Sequence, residues 1–230
     1  MKLLVANPNS TASMTESISR AARRVSRPDT QIVAVGSLSG PPSIQGFFDG
    51  AACLSGLLAQ VERHNDVDGV VIACFDDTGL DAVRCMLEVP VVGIGESACH
   101  AASMLSNKFT VVTTLSRSVP VLEANLIKYG LASRCARIRA TDIPVLKLEH
   151  KFPETTEIIR REIELSIRED QSDAIVLGCA GMTSLAEQLT NEFGLPVVDG
   201  LSCAVTFAEA LVAANLRTSK IGGYGFPVAH

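Results

Sequence analysis

The chain has no excess of positive charge: 20 Lys and Arg stand against 25 Asp and Glu, a net charge of −5 at neutral pH. A nucleic-acid surface needs a clustered basic patch, and the nearest candidate, "RAARRVS" at 20–26, has the make-up of a solvated helix face. Nucleic acid is thereby excluded as a partner. Long apolar runs are missing too. No stretch reaches the ~18–20 residues of a membrane helix, and "MKLLVANPNS" meets Pro8 too soon for an export signal. The expectation is a cytoplasmic protein with no membrane association. The seven cysteines are an odd number without CxxC or Cys/His spacing, so neither a zinc site nor a disulfide framework is indicated. Free thiols suit a reducing compartment.

The GxxxxGK[ST] loop that cradles phosphates is absent as well. "GIGESA" at 93–98 resembles the dinucleotide fingerprint GxGxxA and follows a strand-like run. It does not open the first βαβ unit, and no acidic residue ends "KFTVVTT" where a ribose partner is expected. The histidines at 64, 100, 150 and 230 are scattered and read as surface or core residues. No cofactor and no metal are expected.

What is present is a chain of 230 residues, 47% apolar and 20% charged, enough for one large domain or two small lobes. Short β-branched runs alternate with amphipathic stretches. "KLLVANP" (2–8), "QIVAVG" (31–36), "GVVIAC" (69–74) and "VPVVGIG" (89–95) read as strands. Between them, Met14, Ile18, Ala21 and Val25 fall at helical spacing behind a Ser13/Glu16 capping box. Further helices are predicted over 51–63 and near 79–87. This alternation implies parallel sheets with helices on both faces.

The second half repeats the first at an offset of about 106. "KLLVANPNS" (2–10) falls on "KFTVVTTLS" (108–116), and "VDGVVIAC" (67–74) on "SDAIVLGC" (172–179). "VPVVGIG" then meets "LPVVDGL" (195–201). Any two α/β segments share Val, Ile and Leu, but Asp68/Asp173, Cys74/Cys179 and Pro90/Pro196 also recur in register. The expected fold is α/β: two similar lobes with parallel sheets flanked by helices, related by a pseudo-two-fold axis. Lobe one would comprise residues 1–96 and 203–230, and lobe two residues 97–202, with a last helix from about Ser202 crossing back.

In open parallel sheets ligands bind beyond the carboxyl ends of the strands. Two facing lobes would bring both strand ends to one cleft, each carrying a cysteine, Cys74 or Cys179. A disulfide or a pair of packed core thiols are the plain alternatives. Against them, each cysteine sits where a strand gives way to small, turn-forming residues, "CFDDTG" and "CAGMTS", ahead of a helix whose N–H groups favour a thiolate. Two equivalent thiols across a cleft suit proton exchange at a stereocentre. One thiolate takes a proton from carbon, and the opposite thiol delivers one to the other face of the planar carbanion. Backbone amides beyond each cysteine could stabilise the developing enolate.

"NPNST" near the start, "GPPSIQGFFD" at 40–49, "ACFDD" around Cys74 and "LGCAGM" around Cys179 resemble the aspartate/glutamate/hydantoin racemase superfamily, its hydantoin and allantoin branches most. The resemblance runs nearly the full length. It implies a cofactor-independent racemase that assembles as a homo-oligomer, with Cys74 and Cys179 catalytic. It also implies that Asn9, Thr113 and Thr114 line the cleft, and that Ser43 and Ile44 supply N–H groups and a wall. Glutamate and aspartate racemases follow their two cysteines with Asn-Thr and Thr-His or Thr-Glu. Here Phe75-Asp76 and Ala180-Gly181 stand instead, which removes the grip on a zwitterion and suits a neutral, carbonyl-rich ring. Gly181 would let the backbone approach that ring closely. Asp76 could instead orient a neighbouring turn. Phe47 and Phe48 hint at an apolar pocket wall, favouring alkyl or aryl substituents over the ureido group of allantoin. The remaining cysteines (53, 85, 99, 135 and 203) read as packing, and the glycine-rich "GGYGFPVAH" tail as a flexible or wrapping segment. The expected reaction is racemisation of 5-monosubstituted hydantoins. Allantoin racemisation, amino-acid racemisation and, outside enzymology, two-lobed ligand binding are the alternatives.

Overall fold

The computed structural model describes residues 1–150 and 153–228; the side chain of His150, and His230, lie outside that description. The first half runs β1 (Lys2–Asn7), α1 (Ala12–Val25), β2 (Gln31–Gly36), α2 (Phe47–Ala52), α3 (Leu54–Arg63), β3 (Gly69–Ile72), α4 (Leu80–Met86), β4 (Val91–Gly93) and α5 (Ile94–Leu105). The second runs β5 (Phe109–Thr113), α6 (Val119–Lys128), β6 (Cys135–Ala140), α7 (Pro153–Glu169), β7 (Ala174–Gly178), α8 (Ala186–Phe193), β8 (Val197–Asp199) and α9 (Gly200–Ala213). Short 3-10 segments occupy Ser116–Ser118, Val145–His150 and Ala180–Leu185.

Two four-stranded sheets result, ordered β2-β1-β3-β4 and β6-β5-β7-β8, with every pairing parallel. The central strands are continuous apolar runs, as burial on both faces requires: Leu3–Ala6, Val70–Ile72 and Ala174–Leu177 are all essentially inaccessible. In each sheet the chain leaves the first strand to one side and returns on the other. The switch point therefore lies between β1 and β3, and again between β5 and β7, where crevices form at carboxyl ends.

Three cores hold the molecule. Leu57, Val61, Leu80 and Val83 cover one face of the first sheet, while Ile159, Ile163 and Leu189 cover one face of the second. The largest core lies between the sheets. It joins Leu3, Val5 and Val71 to Val111 and Val176 through Ala98 and Ala102 of α5 and Ala204 and Ala208 of α9. These small residues let α5 and α9 approach closely, and a Cβ on Gly200 would lie 2.3 Å from the Ile94 carbonyl oxygen. The two helices lie between the sheets and reach across: α5 packs on β7 and β8 as well as β4, and α9 on β3 and β4 as well as β7 and β8.

Several local expectations shift. The first helix starts at Ala12, ahead of the proposed Ser13/Glu16 capping box, with Thr11 at its N-cap and no side-chain cap bond there. The Thr11 hydroxyl donates to Pro42 O at 2.6 Å, and Asn9 Oδ1 accepts the Thr11 N–H at 3.0 Å. The helix expected over 51–63 breaks at Cys53 into α2 and α3. The last helix begins at Gly200, because Asp199 accepts from Ser202 N–H at 2.9 Å and caps it two residues early. Cys135 opens strand β6. The tail wraps: Lys220 donates to Cys85 O at 3.2 Å and Tyr224 to Asp81 Oδ1 at 3.0 Å, pinning it to α4.

Candidate active site

Cys74 follows β3 by two residues and Cys179 follows β7 directly, each beside the switch point of its sheet. Both open a tight turn of the same form. Asp77 N–H donates to Cys74 O at 2.9 Å, and Met182 N–H to Cys179 O at 3.0 Å. Two residues on, a backbone N–H favours each thiolate, that of Asp76 at Cys74 and that of Gly181 at Cys179. Four residues on stands a threonine in both halves, Thr78 and Thr183. Thr78 Oγ1 lies 3.9 Å from Cys74 Sγ, and Thr183 Oγ1 is buried without a hydrogen-bond partner among the described residues. The signal for these threonines was open to inspection, a Cys-x-x-x-Thr in each half at the repeat offset.

All seven cysteines are free thiols. Neither of the paired ones is activated in the way a helix N-terminus would predict. Burial pushes Cys179 up to about 11, against the Gly181 N–H. At Cys74, burial first and Asp76 second push the thiol well above its ordinary value. The next helix along the chain, α4, begins only at Leu80, six residues on. Both groups are therefore held as thiols, and a thiolate has to be made by moving a proton.

Asp76 and Asp77 are neighbours with different fates. Asp77 is buried and accepts from Gly95 N–H at 3.0 Å, Glu96 N–H at 2.6 Å and Tyr129 Oη at 2.5 Å. It thus caps α5 from outside, and burial raises it to about 7 against three donors that hold the ionised form. Asp76 has a buried Oδ2 with no partner among the described residues, and burial raises it to about 7, opposed by the Gly46 N–H. Its charge acts on both Cys74 and Cys179.

The other expected site residues divide. Gly181 fits between the Cys179 thiol and Leu148: a Cβ there would sit 3.6 Å from Sγ and 3.2 Å from Leu148 Cβ. With Ala180 it lines a cavity of about 400 Å³, also walled by Met14, Ile18, Val145 and Leu148, a size that suits a small ligand. Thr113 holds the strand end before Cys179, its hydroxyl donating to Gly178 O at 3.2 Å. Thr114 is buried beside it. Asn9 is buried and occupied, accepting from Asn7 Nδ2 and Thr11 N–H and donating to Met14 Sδ. Ser43 accepts from Gln45 Nε2 at 2.7 Å, and Ile44 is buried next to it. Phe75 differs from the expected substrate contact: its ring packs into the core between the sheets, near Cys99, Leu122 and Leu126. Phe47 and Phe48 are 66% and 78% exposed on α2, so they wall no enclosed pocket. Among the described residues no cluster of three or more His, Cys, Asp or Glu could hold a metal ion, and no helix is long and apolar enough to cross a membrane.

The family model described as Asp/Glu/Hydantoin racemase matches residues 3–208. The chain belongs to this family. It is accordingly a racemase, an isomerase of two-lobed α/β architecture. A hydantoin racemase of Rhizobium meliloti is 43% identical over 229 residues, covering 99% of this chain and 95% of that protein. Among solved structures, an allantoin racemase from Klebsiella pneumoniae superposes with a TM-score of 0.96 at 45% identity, over all of this chain and 95% of that one. An allantoin racemase from Pseudomonas fluorescens gives the same TM-score at 42% identity, over all of this chain and 98% of its own.

Proposed function

We propose that this racemase interconverts D- and L-5-monosubstituted hydantoins, with Cys74 and Cys179 exchanging protons at C5 from opposite faces. The reading is carried by one observation. Two thiols follow equivalent strands of two sheets with the same order, each opening an i to i+3 turn whose second N–H favours the thiolate. A C5 proton next to a ring carbonyl is acidic enough for a thiolate base, and the carbanion left behind is a planar enolate whose oxygen the turn amides can face. The lobes are taken as residues 1–96 with 203–230, and 97–202, a division supported by the exchange of α5 and α9 between sheets. Ala180 and Gly181 touch the ring in this reading. Asn9, Ser43, Ile44, Thr113 and Thr114 hold the loops around it, and Phe75 supports the Cys74 turn from behind. Nothing in the chemistry calls for a cofactor, since the thiols supply both proton positions.

Allantoin is itself a hydantoin, with a ureido group at C5, and the two allantoin racemases of like fold favour it as a second substrate. The test is incubation of single enantiomers in D2O, read by polarimetry and by mass, across alkyl, aryl and ureido hydantoins. Loss of rotation with one deuterium gained at C5 is expected. Racemisation without solvent deuterium would overturn the mechanism. Free amino acids should be inert, because a carboxylate substrate meets the unpaired Asp76. A homo-oligomer in the cytoplasm is also proposed, consistent with seven free thiols; sedimentation and fractionation check these.

A further inference from the structure

Asp76 has one carboxyl oxygen that the fold leaves unused. Among the described residues its buried Oδ2 has no hydrogen-bond partner, and no Lys or Arg acts on it. Burying a polar atom unpaired costs stability, so a group kept this way needs an explanation outside folding. The residue is held in place. Asn125 Nδ2 donates to its carbonyl at 2.9 Å, and the Gly46 N–H faces its carboxyl. The titratable groups around it are thiols: Cys74 on its own turn, Cys179 after β7 and Cys53 at the α2–α3 junction. Asp77 next to it is committed to α5 and Tyr129, and Asp49 faces Cys53. At the repeat offset its counterpart is Gly181, so one carboxyl stands against two thiols.

We propose that Asp76 exchanges a proton with both thiols, accepting one from whichever cysteine is to act as base and returning it to the other after turnover. This rests on the two-thiol reading above, and it answers a need of that chemistry. A racemase that begins with a thiolate on one side ends with it on the other, and must reset before accepting another molecule of the same hand. The steps balance. The S–H bond of Cys74 breaks as an O–H bond forms on Asp76, leaving a thiolate. That thiolate takes the C5 proton, Cys179 gives its own proton to the opposite face, and the Asp76 proton passes to the Cys179 thiolate. The reverse reaction uses the same carboxyl in the opposite sense. An ordinary carboxyl is too weak a base to hold a thiol's proton; at about 7, Asp76 is closer to its partners.

The pH profile of racemisation by Asp76→Asn and Asp76→Glu, corrected for the uncatalysed rate, tests the role. Asp76→Asn should lose at least about 100-fold in kcat at pH 7 and recover to within about tenfold near pH 9.5, where solvent hydroxide ionises the thiols. Asp76→Glu should keep the acidic limb of the wild-type profile within about one pH unit. A loss that is equal at every pH in either variant would mark a structural role and overturn the proposal, as would a wild-type profile in Asp76→Asn. Should Asp76→Asn fail to fold, Asp76→Glu decides alone by the same criterion. Normal racemisation by both Cys74→Ser and Cys179→Ser would instead remove the two-thiol reading. Inactive cysteine variants beside an unaltered Asp76→Asn would sink this inference only.

Discussion

The turn after Cys74 and the turn after Cys179 share a backbone but not a chemistry. One continues Phe-Asp-Asp-Thr and the other Ala-Gly-Met-Thr. The difference is explained in part by the helices that follow β4 and β8. In the second half Asp199 caps α9 itself, and the turn can place Met182 in the core. In the first half the corresponding cap residue is Gly93, which has no side chain to offer. Asp77 reaches across to do that work, and its carboxyl fills the space where a Gly93 Cβ would sit, 2.2 Å from Oδ1. The same cap is thus made from two directions. Asp76 has no such counterpart, which is why its purpose is sought in chemistry.

The comparison can be broken at several points. The largest effect is expected for Cys74→Ser and Cys179→Ser, each losing about 1000-fold or more in racemisation measured by polarimetry. Each variant should still wash deuterium into one enantiomer, and the enantiomers should be opposite. Next, Asp77→Ala should cost about 2–4 kcal/mol by urea titration, since it uncaps α5 and strands the Tyr129 hydroxyl. Asp199→Ala, losing only its own cap, should cost about 1 kcal/mol. For Asp76 the sign follows from its raised value. The folded protein binds a proton there more tightly than the unfolded chain, so the associated stability is full below about pH 4 and is lost as pH rises through about 7. Asp76→Asn should therefore be more stable than the parent at pH 8, by on the order of 1–3 kcal/mol, with the gain vanishing near pH 4. The smallest effect sharpens the cap argument: Asp77→Met with Gly93→Asp transplants the second-half solution and should recover about 1 kcal/mol of the Asp77→Met loss.

Much of the fold was legible because buried parallel strands write themselves as unbroken apolar runs, and the repeat confirmed their order. The strand boundaries of β1 and β2 fall within a residue of the runs "KLLVANP" and "QIVAVG". The site was legible where two cysteines recurred in register. It was not legible where a residue's role depends on long-range geometry. That Phe75 turns into the core, or that Asp77 caps a helix 17 residues further along the chain, cannot be read from spacing. Both turn on which side of the strand end the chain leaves. The capping box was misplaced for a local reason: the helix starts at Ala12, so Ser13 lies inside its first turn and not at the cap.

The exchange of α5 and α9 has a further consequence. Severing the gene near codon 106 would give two fragments, each with an apolar helix shaped for the other's strands. Each fragment alone would leave the inner face of its sheet only partly covered and should aggregate, while co-expression should restore one soluble complex. A lone ancestral fragment could have met the same need by lending its helix to a second copy of itself, as swapped dimers do.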